Sequence, residues 1–215
     1  MTLDGDMYVR PGAGRQSEEQ GSEQDGQRPN SKTELSRIED AAERFLAALG
    51  VDLTTPGTVG TARRMARAYS ELLTPIPFSA TTFPNKEGYS ELVLERRIPF
   101  TALCEHHFLP FSGHAYLGYL PAECVIGLSK LTRLVQFLAR CPQVQERLTQ
   151  QIADWLYERL RPRGVGVVVV AEHQCVAIRG VRASGTTTVT SALHGDLRTD
   201  WGQRREFFQL TGAVT

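Results

Sequence analysis

The chain has 215 residues, 41% of them hydrophobic, which suits one domain with appendages or two small domains. Its 24 Lys and Arg balance 24 Asp and Glu, so no global field favours nucleic acid or an acidic membrane, and neither is expected as a partner. MTLDGDMYVR lacks the apolar run of an export signal, and the most apolar stretch, Val165 to Ala171, is the size of a strand and not of a membrane span. Four cysteines (Cys104, Cys124, Cys141, Cys175) make no disulfide framework in a chain this long. A reducing, cytoplasmic setting with thiolates available for metal is expected.

Residues 1–30 are mostly Gly, Gln, Glu, Ser and Asp, too poor in large apolar side chains to offset ordering entropy, and are expected to form a disordered tail. Ser31-x-x-Glu34 has the capping-box pattern. Leu35, Ile38, Ala42, Phe45 and Leu49 then recur at helical spacing until Gly50. Thr58 or Thr61 opens a second helix through Met65, Ala66, Tyr69, Leu72 and Leu73, stopped by Pro75. This divides the chain into a tail, a helical region over 31–75 and a main domain over 76–215. Leu92 to Ile98 reads as a strand and Gly113 to Leu120 as its antiparallel partner. Helices follow over Leu128–Arg140 and Gln143–Leu160, the second with Val144, Leu148, Ile152, Trp155, Leu156 and Leu160 in one apolar stripe. Val165–Val181 and Thr186–Leu193 read as two more strands, and a short amphipathic helix around Phe207 closes the chain. The order predicts an α+β fold, an antiparallel sheet with helices packed on one side.

The chemistry gathers at Cys104-Glu105-His106-His107 and, later, at His173-Gln174-Cys175. Residues i and i+2 of a strand point to one face, so His173 and Cys175 are expected to look into one cavity. Two thiolates and one imidazole make a zinc shell of three protein ligands, leaving a fourth position open, as in catalytic sites. A closed structural knot needs one more ligand, and Cys124, Cys141 and His114 have no metal-like spacing. Cys124 and Cys141 read instead as small buried hydrophobes. There is no G-x-x-x-x-G-K-[ST] loop, but Leu128-Ser129-Lys130 opens a helix, whose free N–H groups favour anions. Lys130 and Arg133 share a face there, a pattern that alone more often marks a solvated surface. Glu146 lies off the apolar stripe of its helix, where an acid in the first turn also suits the helix dipole.

The runs CEHHFLPFSG, GYLP, VIGLSKLTRLV, QVQERLTQQIAD, AEHQC and RGVRASGTTTVTSA, in this order, resemble GTP cyclohydrolase I of the zinc-dependent type over residues 35–210. The resemblance implies a T-fold with a ββααββ core, ring-forming, assembled as a homodecamer of stacked pentamers. It implies hydrolytic opening of the guanine imidazole ring of GTP, giving formate and 7,8-dihydroneopterin triphosphate, the first step of tetrahydrofolate and pterin biosynthesis. It also assigns residues. Cys104, His107 and Cys175 would bind zinc, and His106 and His173 would handle protons. Lys130, Arg133, Arg179 and Ser129 would hold the triphosphate, with Ser129 also assisting the later sugar rearrangement. Glu146 would read the guanine edge, with Gln145 beside it in the substrate site. The chain departs from the family at Thr61-Ala62-Arg63-Arg64, where Thr-Pro-x-Arg is usual, and at Val176, often Met. Neither position touches the chemistry. Two other readings stand beside this one: a non-catalytic paralogue that binds zinc and a nucleotide or pterin, and the same reaction serving a deazapurine pathway. A binding module has no need of His106, which argues against the first.

Overall fold

The computed structural model describes residues 32–213; the expected tail and the Ser31 cap lie outside the described residues. The described chain falls into two compact units that meet between Thr74 and Pro75. The first is a helix pair, α1 (Lys32–Ala48) and α2 (Thr61–Leu73). Small side chains make the close approach: Ala42 and Ala66 are buried. Gly50 turns the chain out of α1 at φ 79°, a conformation that favours glycine. Of the two candidate starts for the second helix, Thr61 is the first helical residue, after Gly60 at the N-cap.

The second unit runs β1 (Thr82–Pro84), β2 (Val93–Cys104), β3 (Pro110–Leu120), β4 (Cys124–Ile126), α3 (Leu128–Ala139), β5 (Pro142–Gln143), α4 (Gln145–Leu160), β6 (Gly164–His173), α5 (Gln174–Ala177), β7 (Thr187–Gly195), α6 (Asp196–Thr199) and α7 (Trp201–Thr211). The main sheet has the order β5-β2-β3-β6-β7. Its pairings are antiparallel except for short β5, which runs parallel to β2. The fold is α+β, and its sheet is mixed through β5. No helix among the described residues is long and apolar enough to cross a membrane.

Alternation decides what each face buries. The odd-numbered residues Ala115, Leu117 and Tyr119 of β3 and Val165, Val167 and Val169 of β6 join Leu131, Leu134, Leu148, Ile152 and Leu156 of α3 and α4 in the larger core. The even-numbered Tyr116, Leu120 and Val168 pack with Leu197 and Phe207. Helices therefore cover both faces, which corrects the one-sided packing expected from sequence. Gly118 and Gly166 are register partners on this second face, and the Phe207 ring seats on them.

Two further expectations change. The strand predicted to stop at Ile98 continues to Cys104 through a bulge: Glu95 pairs with Leu117, and Ile98 with Ala115. Three steps on β2 match two on β3, and Arg97 takes up the extra residue at φ 57°. The inward row thereby switches from odd to even, so Val93 lies in the core before the bulge and Ile98, Phe100, Ala102 and Cys104 after it. The strand predicted through Val181 ends at His173, where the chain coils into the single turn of α5.

Candidate metal centre and catalytic site

The site is built where β2 and β6 end. Cys104 closes the inward row of β2, and the chain reverses into β3 within five residues. The amide of Phe108 donates to Cys104 O at 2.8 Å, and the amide of Cys104 donates to Leu109 O at 2.9 Å. Phe108 adopts φ 56° to complete the reversal. A strap holds this turn from outside: Arg147 of α4 donates to the Glu105 carboxylate, to Pro142 O at 3.1 Å and to Gln143 Oε1 at 3.0 Å. The Arg147 hydrogen bond holds the Glu105 carboxyl below the usual carboxylate range.

Within that turn, His106 Nδ1 lies 3.9 Å and His107 Nδ1 3.8 Å from Cys104 Sγ. The two rings stand 76° apart, so the neighbours face different ways. Cys104, His107 and Cys175 bring one donor atom each to within 4.8 Å of one another. Cys175 reaches this cluster from the helical turn of α5, not from an extended strand; the i, i+2 argument for it is replaced by that turn. His106 stays outside the cluster with a side chain 62% exposed, 3.8 Å from Glu105.

The donor chemistry fits a metal ion. Burial, and then the adjacent Cys104 sulfur, push the Cys175 thiol up, with Arg179 acting in the opposite sense. Two sulfurs this close repel as thiolates, and a divalent cation between them removes that penalty. A tetrahedral zinc ion, with bonds of about 2.0–2.3 Å, needs donors roughly 3.5–4 Å apart, a spacing the cluster accommodates.

His173 ends β6 in the row that faces α4. Its ring stacks on Phe111, its register partner on β3, at 4.6 Å and 3°. Its Nε2 lies 2.7 Å from Gln145 Oε1. Burial lowers the proton affinity of His173, and the Glu146 carboxylate raises it. Glu146 is exposed in the first turn of α4, near enough for its charge to act on that ring. Gln145, expected in the substrate site, is 1% exposed, and its amide nitrogen donates to Val169 O and Thr188 O. The residues that sequence reasoning missed are Phe111, Glu105 and Arg147. Their roles are cross-element contacts that no spacing announces.

The anion-type residues stand on α3 and after α5. Gly127, not Ser129, is the N-cap of α3; no side chain caps that end and no acid occupies its first turn. Ser129 and Arg133 are exposed and Lys130 is half-buried. Arg179 follows α5 in a segment pinned by the Arg182 amide on Arg179 O and the Gly185 amide on Glu172 Oε1. Cys141 and Cys124 stay away from the cluster. Burial pushes the Cys141 thiol up to about 11, as befits a core residue.

Fold and donor set together define a class: α+β proteins with a Cys-His-Cys cluster able to hold a metal ion at the end of the sheet. The comparisons narrow the class. The family model described as GTP cyclohydrolase I matches residues 38–212. The "GTP cyclohydrolase 1" of Thermobifida fusca is 48% identical over 179 residues, 81% of this chain and 86% of that protein. Those of Aquifex aeolicus and Hydrogenobaculum sp. are 45% and 44% identical, over 83% and 81% of this chain and 97% and 96% of theirs. The chain belongs to the GTP cyclohydrolase I family, whose members are hydrolases.

Proposed function

We propose that the protein opens the imidazole ring of GTP, with zinc held by Cys104, His107 and Cys175, and yields formate and 7,8-dihydroneopterin triphosphate. The observation that carries this reading is the convergence of those three donor atoms within 4.8 Å of one another, beside two imidazoles outside the set. Carbon 8 of a purine is a poor electrophile. When bound, zinc supplies Lewis acidity for its hydration. His106 and His173 move the protons. Imidazole is a side chain suited to alternating acid and base roles. Two waters enter as the two bonds from C8 to nitrogen break and formate leaves. The ribose then rearranges, assisted by Ser129, and the ring recloses with loss of one water.

Lys130, Arg133, Arg179 and Ser129 hold the triphosphate. The uncapped, acid-free start of α3 supports that assignment, because free N–H groups and the dipole favour anions there. Glu146 accepts from guanine N1–H and the 2-amino group. Adenine lacks both donors, and a site left unpaired by the wrong base discriminates strongly. We further place the chain in a T-fold assembly of stacked pentamers working in the cytoplasm, where reduced thiols are maintained. The test is incubation of pure protein with GTP, with formate release and pterin fluorescence after oxidation as the readouts. Intact GTP after prolonged incubation with zinc-loaded protein would refute the reading.

A further inference from the structure

Gln145 is a buried amide whose hydrogen bonds leave one way to place its two ends. Its Nε2 lies 3.1 Å from Val169 O, 3.0 Å from Thr188 O and 3.1 Å from Thr190 Oγ1. Carbonyl oxygens only accept, so the amide nitrogen must face them. A reversed amide would set its oxygen against two carbonyl oxygens with no hydrogen between them. The hydroxyls agree with this polarity. Thr149 Oγ1 donates to Gln145 O at 2.8 Å, so the Thr190 hydroxyl donates to Thr149 at 2.6 Å and keeps a lone pair for Gln145 Nε2.

Oε1 is then turned to His173 Nε2 at 2.7 Å. An amide oxygen cannot donate, so the hydrogen of this bond belongs to His173 Nε2. A neutral imidazole carries one hydrogen, and Nδ1 is left with a lone pair. The Phe111 ring, parallel at 4.6 Å, holds the imidazole plane while this bond fixes its orientation. The amide itself is held by β6 and β7 at once, through Val169 and Thr188.

We infer that Gln145 is a positioning residue: it holds His173 as the Nε2–H tautomer and fixes the orientation of its ring, leaving the Nδ1 lone pair as the free end of the imidazole. The tautomer stands on the hydrogen-bond geometry, and the kinetic arm of the test below rests on the proposed place of His173 in the site. Outer partners of this kind orient an imidazole by its second nitrogen, as they do for metal-bound histidines.

Nitrogen NMR on zinc-loaded, full-length protein labelled with ¹⁵N-histidine tests this without altering the chain, the His173 signals being those lost in His173→Ala. The expected spectrum has His173 hydrogen-bearing at Nε2 and bare at Nδ1; the opposite tautomer overturns the inference. In a second arm, Gln145→Met should lower kcat by roughly 10–100-fold, the usual cost of losing an orienting partner, with zinc content and the GTP KM unchanged. A raised KM at parental kcat would make Gln145 a substrate contact and end the positioning role. Should Gln145→Met fail to fold, the spectrum of the unaltered chain still decides. The proton role itself fails separately, if His173→Ala converts GTP at the parental rate.

Discussion

The Cys104 and Cys175 sulfurs lie in one cluster of donors, where a cation between them relieves the repulsion of two thiolates, and that relief drives the residue-scale predictions. Zinc-loaded protein should carry about one ion per chain, and Cys175→Ala should lose both metal and turnover. Metal analysis beside a GTP assay checks this, and a variant that keeps its zinc would show that Cys175 is not a ligand. Chelation of the parent should free Cys104 and Cys175 for alkylation. Cys141, protonated far above neutral pH by its burial, should stay unmodified in the folded chain. His106→Ala separates ligation from proton transfer. His106 shares the turn of Cys104 but lies outside the cluster of donors, so zinc should remain while kcat falls by roughly 10²–10⁴. If His106→Ala loses the metal and His107→Ala retains it, the two histidines exchange roles. Sequence made the donors legible because their residue types are rare and their chemistry specific. It misread how Cys175 arrives, since a single helical turn after a strand leaves no periodic trace in so few residues.

At the scale of elements, the face opposite α3 and α4 depends on a pair of missing side chains. Gly118 and Gly166 face each other across β3 and β6, and a Cβ at Gly166 would stand 2.8 Å from the Phe207 ring. Phe207 is fully buried and has nowhere to swing. Gly166→Ala should therefore cost about 1–3 kcal/mol, the usual penalty of overpacking, and lower the thermal midpoint. Gly57→Ala, with open space around its Cβ, is the control that should leave the midpoint in place. An unshifted midpoint in Gly166→Ala would mean that α7 is only loosely docked. Little of this seat was legible in the sequence: the amphipathic helix at Phe207 was, but not the face it covers, because a glycine in a strand announces no partner. The β2 bulge hid in the same manner. Alternation is odd before Arg96-Arg97 and even after, so the pattern breaks at Ile98 although the strand does not. The long stripe of α4 and the valine run of β6 suffered no such interruption, and both were plain.

Across the whole molecule, the main sheet ends on one side in β7, an edge strand among the described residues. Among the described residues β6 is the only strand that pairs with β7, and the sequence of β7, TTVTSALHG, contains no Pro or Lys to blunt the edge. Thr187, Thr188 and Val189 are exposed along it. Just before it in the chain, Ile178 is exposed and Val181 is 82% exposed, flanking Arg179 in the segment that follows Cys175. An unprotected edge pairs with another strand wherever one is offered. A zero formal charge gives copies of this chain no net self-repulsion to overcome. Self-association through this side of the sheet would bury the exposed valines and bring a second copy against the segment that carries Arg179. Completion of the catalytic site is thus proposed to require assembly, and specific activity should fall as protein is diluted below its association range. Sedimentation across a dilution series, with turnover measured at each concentration, gives both quantities together. The expected result is that activity and assembly are lost in parallel, with the monomer inactive. A monomer turning over GTP at the full specific rate would confine the whole site to one chain and reduce the β7 edge to an ordinary exposed strand.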